Sequence, residues 1–171
     1  MTIKSFFRFI FVFILIFTAL LARAEESEIL TPAAPNIAAS SFILMDYFTG
    51  KILAENNADI KLAPASLTKI MSVYVVFREI SGGHLKLNDL VTVSQNAWQT
   101  SGSRMFLEVG DKVSIEDLLK GVIIQSGNDA AVALAEHVAG SESTFAEMMN
   151  QHSARLGMLN SHFEDSNGLH I

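Results

Sequence analysis

The stretch PASLTKIMSVYVVF, residues 64–77, places Ser66 and Lys69 three positions apart with an almost unbroken apolar run behind them. Pro64 can fix the start of a helix, and Ser81-Gly82-Gly83 can end it. The run therefore predicts a helix over Ser66–Ile80. Its apolar residues Ile70, Met71, Val73, Tyr74, Val75, Val76 and Phe77 point in nearly every direction around the axis, which predicts a buried helix. A lysine is costly to bury, and a cation is unfavourable in the first turn of a helix, where the macrodipole is positive. Lys69 stands at such a position.

Residues three apart on a helix are neighbours, roughly 5–6 Å between Cβ atoms, so a Lys69 amine can reach the Ser66 hydroxyl. Serine is a weak nucleophile until a base takes its proton, and lysine is a base only when neutral. From an ordinary pKa of about 10.4, neutrality at pH 7 requires a shift of about three units, or roughly 4–5 kcal/mol. Burial can shift a lysine by about 3–5 units, whereas the helix dipole contributes about 0.3–1 kcal/mol at exposed sites. Desolvation by the apolar run has to dominate. A second reading stays open on these residues alone. S-x-x-K arises by chance about once in a chain of this size, Ser66 can be a simple N-cap, and Lys69 can extend its stem to water.

Ser126-Gly127-Asn128 interrupts two helical stretches and can present a hydroxyl beside a carboxamide. It also reads as a plain interhelical turn, in which Ser, Gly and Asn are the expected residues. Ser94-Gln95-Asn96 shares the S-x-N pattern, so the pattern acquires meaning only from its context.

Around these motifs the chain reads as α+β. Ser41–Tyr47 and Lys51–Glu55 flank Phe48-Thr49-Gly50 and predict an antiparallel hairpin. Leu90–Ser94 alternates like a short strand, Ser94 can cap a turn of helix holding Trp98, and Thr100–Arg104 is a Ser/Gly loop. Ser114-Ile115-Glu116-Asp117 approximates a capping box. It opens a helix to about Ile124, followed by helices over about Asp129–Ala139 and Thr144–Leu156, stopped by Gly140 and Gly157. No third long strand is evident after the hairpin. A hairpin is marginal alone, so the sheet reads as unfinished.

The 171 residues are enough for one domain, and half of them are apolar. Part of that fraction lies at the N-terminus, where Lys4 and Arg8 precede the apolar run Phe9–Leu21 and Ala22-Arg23-Ala24. A basic start, about 13 apolar residues and an A-x-A site predict a secretory signal peptide over 1–24, cleaved after Ala24. A membrane-spanning anchor is the other reading, but a span needs roughly 20 residues. Residues 25–36, rich in Ala, Pro and Glu, read as a linker. The absence of cysteine excludes disulfides, thiol catalysis and sulfur-bound zinc. A net charge of −6, with no basic cluster beyond the signal, argues against nucleic acid. His84, His137, His152, His162 and His170 form no H-E-x-x-H pair, which leaves a zinc peptidase unsupported. There is also no G-x-S-x-G elbow.

Taken in order, the blocks ILMDYFTGKILAENNAD, PASLTKIMSVYV, SRMFLEVGDKVSIEDLLKGVIIQSGNDAAVALAEHVAG and FEDSNGL resemble the D-alanyl-D-alanine carboxypeptidases, the low-molecular-mass penicillin-binding proteins of the S11 serine peptidase type. The resemblance covers residues 37–171 and implies the N-terminal part of a β-lactamase/transpeptidase-like peptidase domain. It implies Ser66 as nucleophile, Lys69 as its base, Ser126 as proton relay, and Gly127 and Asn128 as substrate-binding residues. The Ser66 backbone N–H would be one oxyanion donor. The implied substrate is a peptidoglycan stem peptide ending in D-Ala-D-Ala, with β-lactam antibiotics as acylating inhibitors and no metal or organic cofactor. The implied location is the periplasm or the outer face of the cytoplasmic membrane, with membrane contact only through the signal peptide or a C-terminal anchor absent from these residues.

Two departures accompany the resemblance. The family's Lys-Thr-Gly element cannot follow Lys120, the last lysine, so the chain is expected to be a truncated, N-terminal portion lacking the closing strands. The E-x-x-L-N setting of class A β-lactamases is also missing; Glu164, in EDSNG, reads as a surface carboxylate. The competing functions are a D,D-endopeptidase, a β-lactamase, and a catalytically inactive remnant that binds cell-wall peptide or nothing.

Overall fold

A computed structural model describes residues 36–169. The expected signal peptide and all of the expected linker except Asn36 lie outside the described residues, as does His170. The chain divides into two compact units that meet at Ile60 and Lys61.

In the first unit, β1 (Phe42–Met45) pairs antiparallel with β2 (Ile52–Asn56), with Phe42 opposite Asn56 and a register irregularity between Leu44 and Met45. This is the expected hairpin, with each strand somewhat displaced from its expected ends. Its turn is closed by Asp46, whose carboxylate accepts from the Thr49 N–H at 2.8 Å, and by the Gly50 N–H to the Asp46 carbonyl at 2.9 Å. Gly50 adopts φ 70°, a conformation open to glycine without a Cβ penalty.

The second unit begins with a 3-10 turn over Ala65–Leu67, followed by α1 (Thr68–Ser81), β3 (Leu90–Thr92), α2 (Gln95–Gln99), β4 (Lys112–Ser114), α3 (Ile115–Gln125), α4 (Asn128–Ala139) and α5 (Glu142–Arg155). The α+β class is as expected. Several details differ. Ser66 belongs to the 3-10 turn and not to the α-helix, and its side chain caps nothing. A strand unforeseen in the sequence, β4, pairs antiparallel with β3 through Val91 opposite Val113. Three residues are too few to show a period-2 pattern, and Lys-Val-Ser carries little strand preference of its own.

The centre of this unit is α4. Residues Ala130–Ala135 are all buried, and α4 packs against α1, α2, α3, α5 and β3. Four alanines among those six positions let neighbouring elements approach on all sides. The expectation that α1 is buried all round fails. Met71, Val75 and Val76 belong to the core, while Ile70 and Phe77 are exposed at 68% and 45%.

The helix ends follow local chemistry. Ser94 and Ser141 cap α2 and α5 by accepting from the N–H of Ala97 and Thr144. Ser114 accepts from the Asp117 N–H at 3.1 Å, but Asp117 takes the Ser114 hydroxyl at 2.7 Å instead of reaching back to its backbone, so the expected capping box is only half formed. The core is filled by Val91, Val93, Ile115, Leu118, Val122, Phe145 and Met149 around α4. Leu118→Ala, at a fully buried position, should cost about 2–5 kcal/mol, measurable as a lower urea midpoint with an unchanged denaturant slope.

Candidate active site

Pro64 precedes the turn that carries Ser66, and Ala65 takes φ 49°. Alanine rarely occupies this left-handed region, and a strained residue directly before a candidate nucleophile is characteristic of an over-determined site. The turn leaves Ser66 exposed, while Lys69, one turn further on, is only 4% exposed. The Lys69 Nζ lies 3.2 Å from Ser66 Oγ and donates to the Asn167 carbonyl at 2.9 Å. The lysine stem does not run out to water; the amine ends inside the protein between those two oxygens.

Burial drives the Lys69 pKa below its ordinary value, and the Asp165 carboxylate opposes this by favouring the charged form. Desolvation is the larger effect, in the direction that general-base chemistry requires. In the ammonium form the amine donates to Ser66 Oγ. Once neutral, the same nitrogen at the same distance can accept the hydroxyl proton.

The loop after α5 supplies the other side of this contact, and it was not legible in the sequence. Asn167 lies 98 positions from Lys69, and it acts through its backbone carbonyl, which carries no residue signature. Ser72, one turn beyond Lys69 on α1, donates to the Ser166 carbonyl at 2.5 Å. Two consecutive carbonyls of the loop are thus bonded to two consecutive turns of α1. A serine three positions after the lysine was the one available hint. The loop itself is held by Asp165, whose carboxylate accepts the N–H groups of Asn167 and Gly168, and by Asn150 of α5, which exchanges two bonds with Phe163. Gly168 has φ 75°, and a Cβ there would collide with the Ala65 carbonyl and Thr68 Oγ1. Backbone therefore meets backbone directly behind Ser66.

Ser126 and Asn128 lie at the junction of α3 and α4. Ser126 ends α3 in the left-handed conformation, φ 56°, and is partly exposed. Gly127 and Asn128 are buried. A Cβ on Gly127 would come within 3.2 Å of Asp129 Oδ1 and 3.3 Å of the Gly121 carbonyl. Asn128 uses its Nδ2 to bond the Ser101 carbonyl at 2.7 Å, and its backbone N–H donates to the Ser103 carbonyl at 2.7 Å. Its Oδ1 remains free of these bonds and can accept an amide N–H. Among the described residues, no hydrogen bond joins Ser126 to Ser66 or Lys69. Packing of α1 on α4 brings the two motifs into one unit. Asp129, fully buried, accepts from the Met105 and Leu107 N–H groups and ties the Thr100–Leu107 segment to the start of α4. Between this segment and the Glu164–Leu169 loop lies a cavity of about 550 Å³, lined in part by Asn96, Ser101, Glu142, Asp165 and Asn167; neither Ser66 nor Lys69 lines it. Glu164 is exposed, as expected of a surface carboxylate.

The family profile for D-alanyl-D-alanine carboxypeptidases, Peptidase S11, matches residues 28–171. The D-alanyl-D-alanine carboxypeptidase DacC of Escherichia coli is 49% identical over 163 residues, covering 92% of this chain and 40% of its own length. Among solved structures, D-alanyl-D-alanine carboxypeptidase DacD from Francisella tularensis superposes with a TM-score of 0.78 at 44% identity, over 82% of this chain and 34% of that one. Penicillin binding protein 5 from Haemophilus influenzae gives 0.77 at 42%, over 81% and 41%. The fold expected from the motif order is thus the fold of these transpeptidase-like proteins. The chain spans about two fifths of the length of the curated relatives it matches, 40% and 39% for two of them.

The buried lysine has a thermodynamic consequence. With its folded pKa depressed, the folded state binds fewer protons than the unfolded chain between the folded pKa and about 10.4. Stability therefore rises with pH through that window. Denaturant titrations from pH 7 to 10 should show this rise in wild type and a smaller one in Lys69→Met. Gly168→Ala should destabilise by about 1–3 kcal/mol through overpacking, read from the same titrations.

Proposed function

Since the chain belongs to the D-alanyl-D-alanine carboxypeptidase family, Peptidase S11, we propose that it is the N-terminal part of a serine-type carboxypeptidase that removes the terminal D-alanine from peptidoglycan stem peptides. The observation that carries this reading is Ser66 Oγ, exposed and 3.2 Å from a buried amine whose pKa is driven down.

In this mechanism neutral Lys69 accepts the Ser66 proton as Oγ attacks the carbonyl between the two D-alanines. The Ser66 N–H, in the turn before α1, donates to the developing oxyanion. Collapse breaks the peptide bond and leaves an ester on Ser66. The departing D-alanine nitrogen takes a proton relayed through Ser126 from Lys69. Asn128 Oδ1 and the Gly127 backbone align the peptide. Water then attacks the ester with Lys69 again as base, and the shortened peptide leaves as a carboxylate. A β-lactam opens on the same Oγ, but the ring-opened product stays attached, so hydrolysis is slow. The substrate's terminal carboxylate needs a cation, and residues 121–171 contain no lysine to provide it in the manner of the family's Lys-Thr-Gly element. The basic and apolar start with Ala22-Arg23-Ala24 supports export to the periplasm or the outer face of the cytoplasmic membrane.

A fluorescent penicillin should label the wild-type protein covalently, and Ser66→Ala should abolish the label. A guanidinium cannot give up its proton, so Lys69→Arg should lower the acylation rate by about 10²–10⁴-fold. Wild type that never labels refutes an acyl-enzyme former, and label that survives in Ser66→Ala refutes this nucleophile. Product analysis on purified peptidoglycan should give free D-alanine; cleaved cross-linked dimers instead would identify an endopeptidase.

A further inference from the structure

The Lys69 amine is oriented by a carbonyl, and that carbonyl belongs to a loop fixed from one further point. Glu142, in the first turn of α5, directs a single atom, Oε1, at the loop. Oε1 accepts the Ser166 N–H at 3.0 Å and the Ser166 hydroxyl at 2.5 Å, with the Asn167 Nδ2 at 3.5 Å. Ser166 is fully buried, so without Glu142 two of its donors would lose their partner in a dry environment. The next carbonyl along the chain is the one that meets Lys69.

We infer that Glu142 is a positioning residue for the acylating pair: it holds the Asp165–Gly168 loop so that the Asn167 carbonyl fixes the Lys69 amine against Ser66. This rests on Ser66 and Lys69 being that pair. A neutral amine has two N–H bonds and one lone pair. When the Asn167 carbonyl takes one N–H, the amine loses its free rotation, and one of its remaining tetrahedral directions can be turned to Ser66 Oγ. The same loop keeps water away from the amine.

The bland role for Glu142 is a favourable charge at a helix N-terminus, and the two roles differ in what they require. A helix-end charge needs a carboxylate, whereas the loop needs only one acceptor oxygen, since a single oxygen makes all three contacts. Glu142→Gln keeps that oxygen and removes the charge. Glu142→Ala removes both.

Two readouts on the protein, with the 13C-labelled lysine side chains titrated by NMR and Lys69 assigned through Lys69→Arg, separate the possibilities. In Glu142→Ala, acylation by fluorescent penicillin should fall on the order of 10²-fold, as for other angstrom-scale misplacements. The Lys69 titration, and with it the rising limb of the pH–acylation profile, should move to higher pH. The direction follows from the groups that face the amine. Asp165, on the loop, is the charged side chain whose field acts on Lys69. Asn167 contributes a neutral carbonyl, and Ser66 and Ser72 are the neutral hydroxyls on its own side. Loosening the loop weakens the Asp165 attraction but also admits water, and the relief of desolvation is the larger change. Glu142→Gln should acylate at close to the wild-type rate with an unmoved titration.

Should Glu142→Ala not fold, Ser166→Ala, which removes only the hydroxyl bond, makes the same test with a smaller shift. The inference is overturned if Glu142→Ala acylates and titrates as wild type does. It is equally overturned if activity falls with the Lys69 titration unmoved, or if Gln fails as badly as Ala. A wild type that never labels would refute the proposed function, while the NMR titration would still decide whether Glu142 governs Lys69.

Discussion

One amine, removed from water and held between a serine hydroxyl and a backbone carbonyl, is the interaction on which the proposed chemistry rests. An ammonium in that position loses hydration, which drives its pKa down; Asp165 returns part of the loss. The balance matters because a fully solvated lysine is a cation at neutral pH and has no lone pair to offer. A lysine buried without oxygen partners would be a poorly directed base. Here burial lowers the pKa of the amine, and the two oxygens give it a direction.

The fold serves this contact from three sides. The 3-10 turn, with Ala65 in a strained conformation, brings Ser66 to the surface while α1 carries Lys69 inward. The α5 helix holds the Asp165–Gly168 loop through Glu142 and Asn150, and Gly168 lets that loop lie against the Ala65 carbonyl where any side chain would collide. The α4 helix, thin because it is rich in alanine, lets α1, α3 and α5 pack closely around it and starts with Asn128 beside the Ser101–Ser103 loop. Family membership agrees with this construction, since the solved carboxypeptidase and penicillin-binding structures share the same backbone arrangement over about four fifths of the chain.

Where reading the sequence went astray, the cause was the range of the interaction. Two helix starts were legible because Ser94 and Ser114 cap by contacts within three residues; the Ser141 cap, on a helix that was expected only from about Thr144, was missed. The burial of α1 was overestimated. A bulky apolar run suggests complete burial, yet Ile70 and Phe77 stand exposed while small Ala130–Ala135 occupy the middle. Hydrophobicity measures what a residue gains from burial, but centrality depends on how closely neighbours can approach. The short strand β4 exists through its pairing with β3, a relation between residues some twenty positions apart that neither segment announces by itself.

The sequence alone determined the pieces whose cause is local: the hairpin, the order of helices, the three-residue offset that lets Lys69 reach Ser66, and a motif order distinctive enough to identify the family. Tertiary structure decided that this lysine is buried and which oxygens its amine meets. Burial is a property of everything packed around a side chain, and the carbonyl that orients the amine belongs to a residue 98 positions away. A backbone carbonyl is the same on every residue, so no spelling of residues 163–169 could announce that one of them would face Lys69.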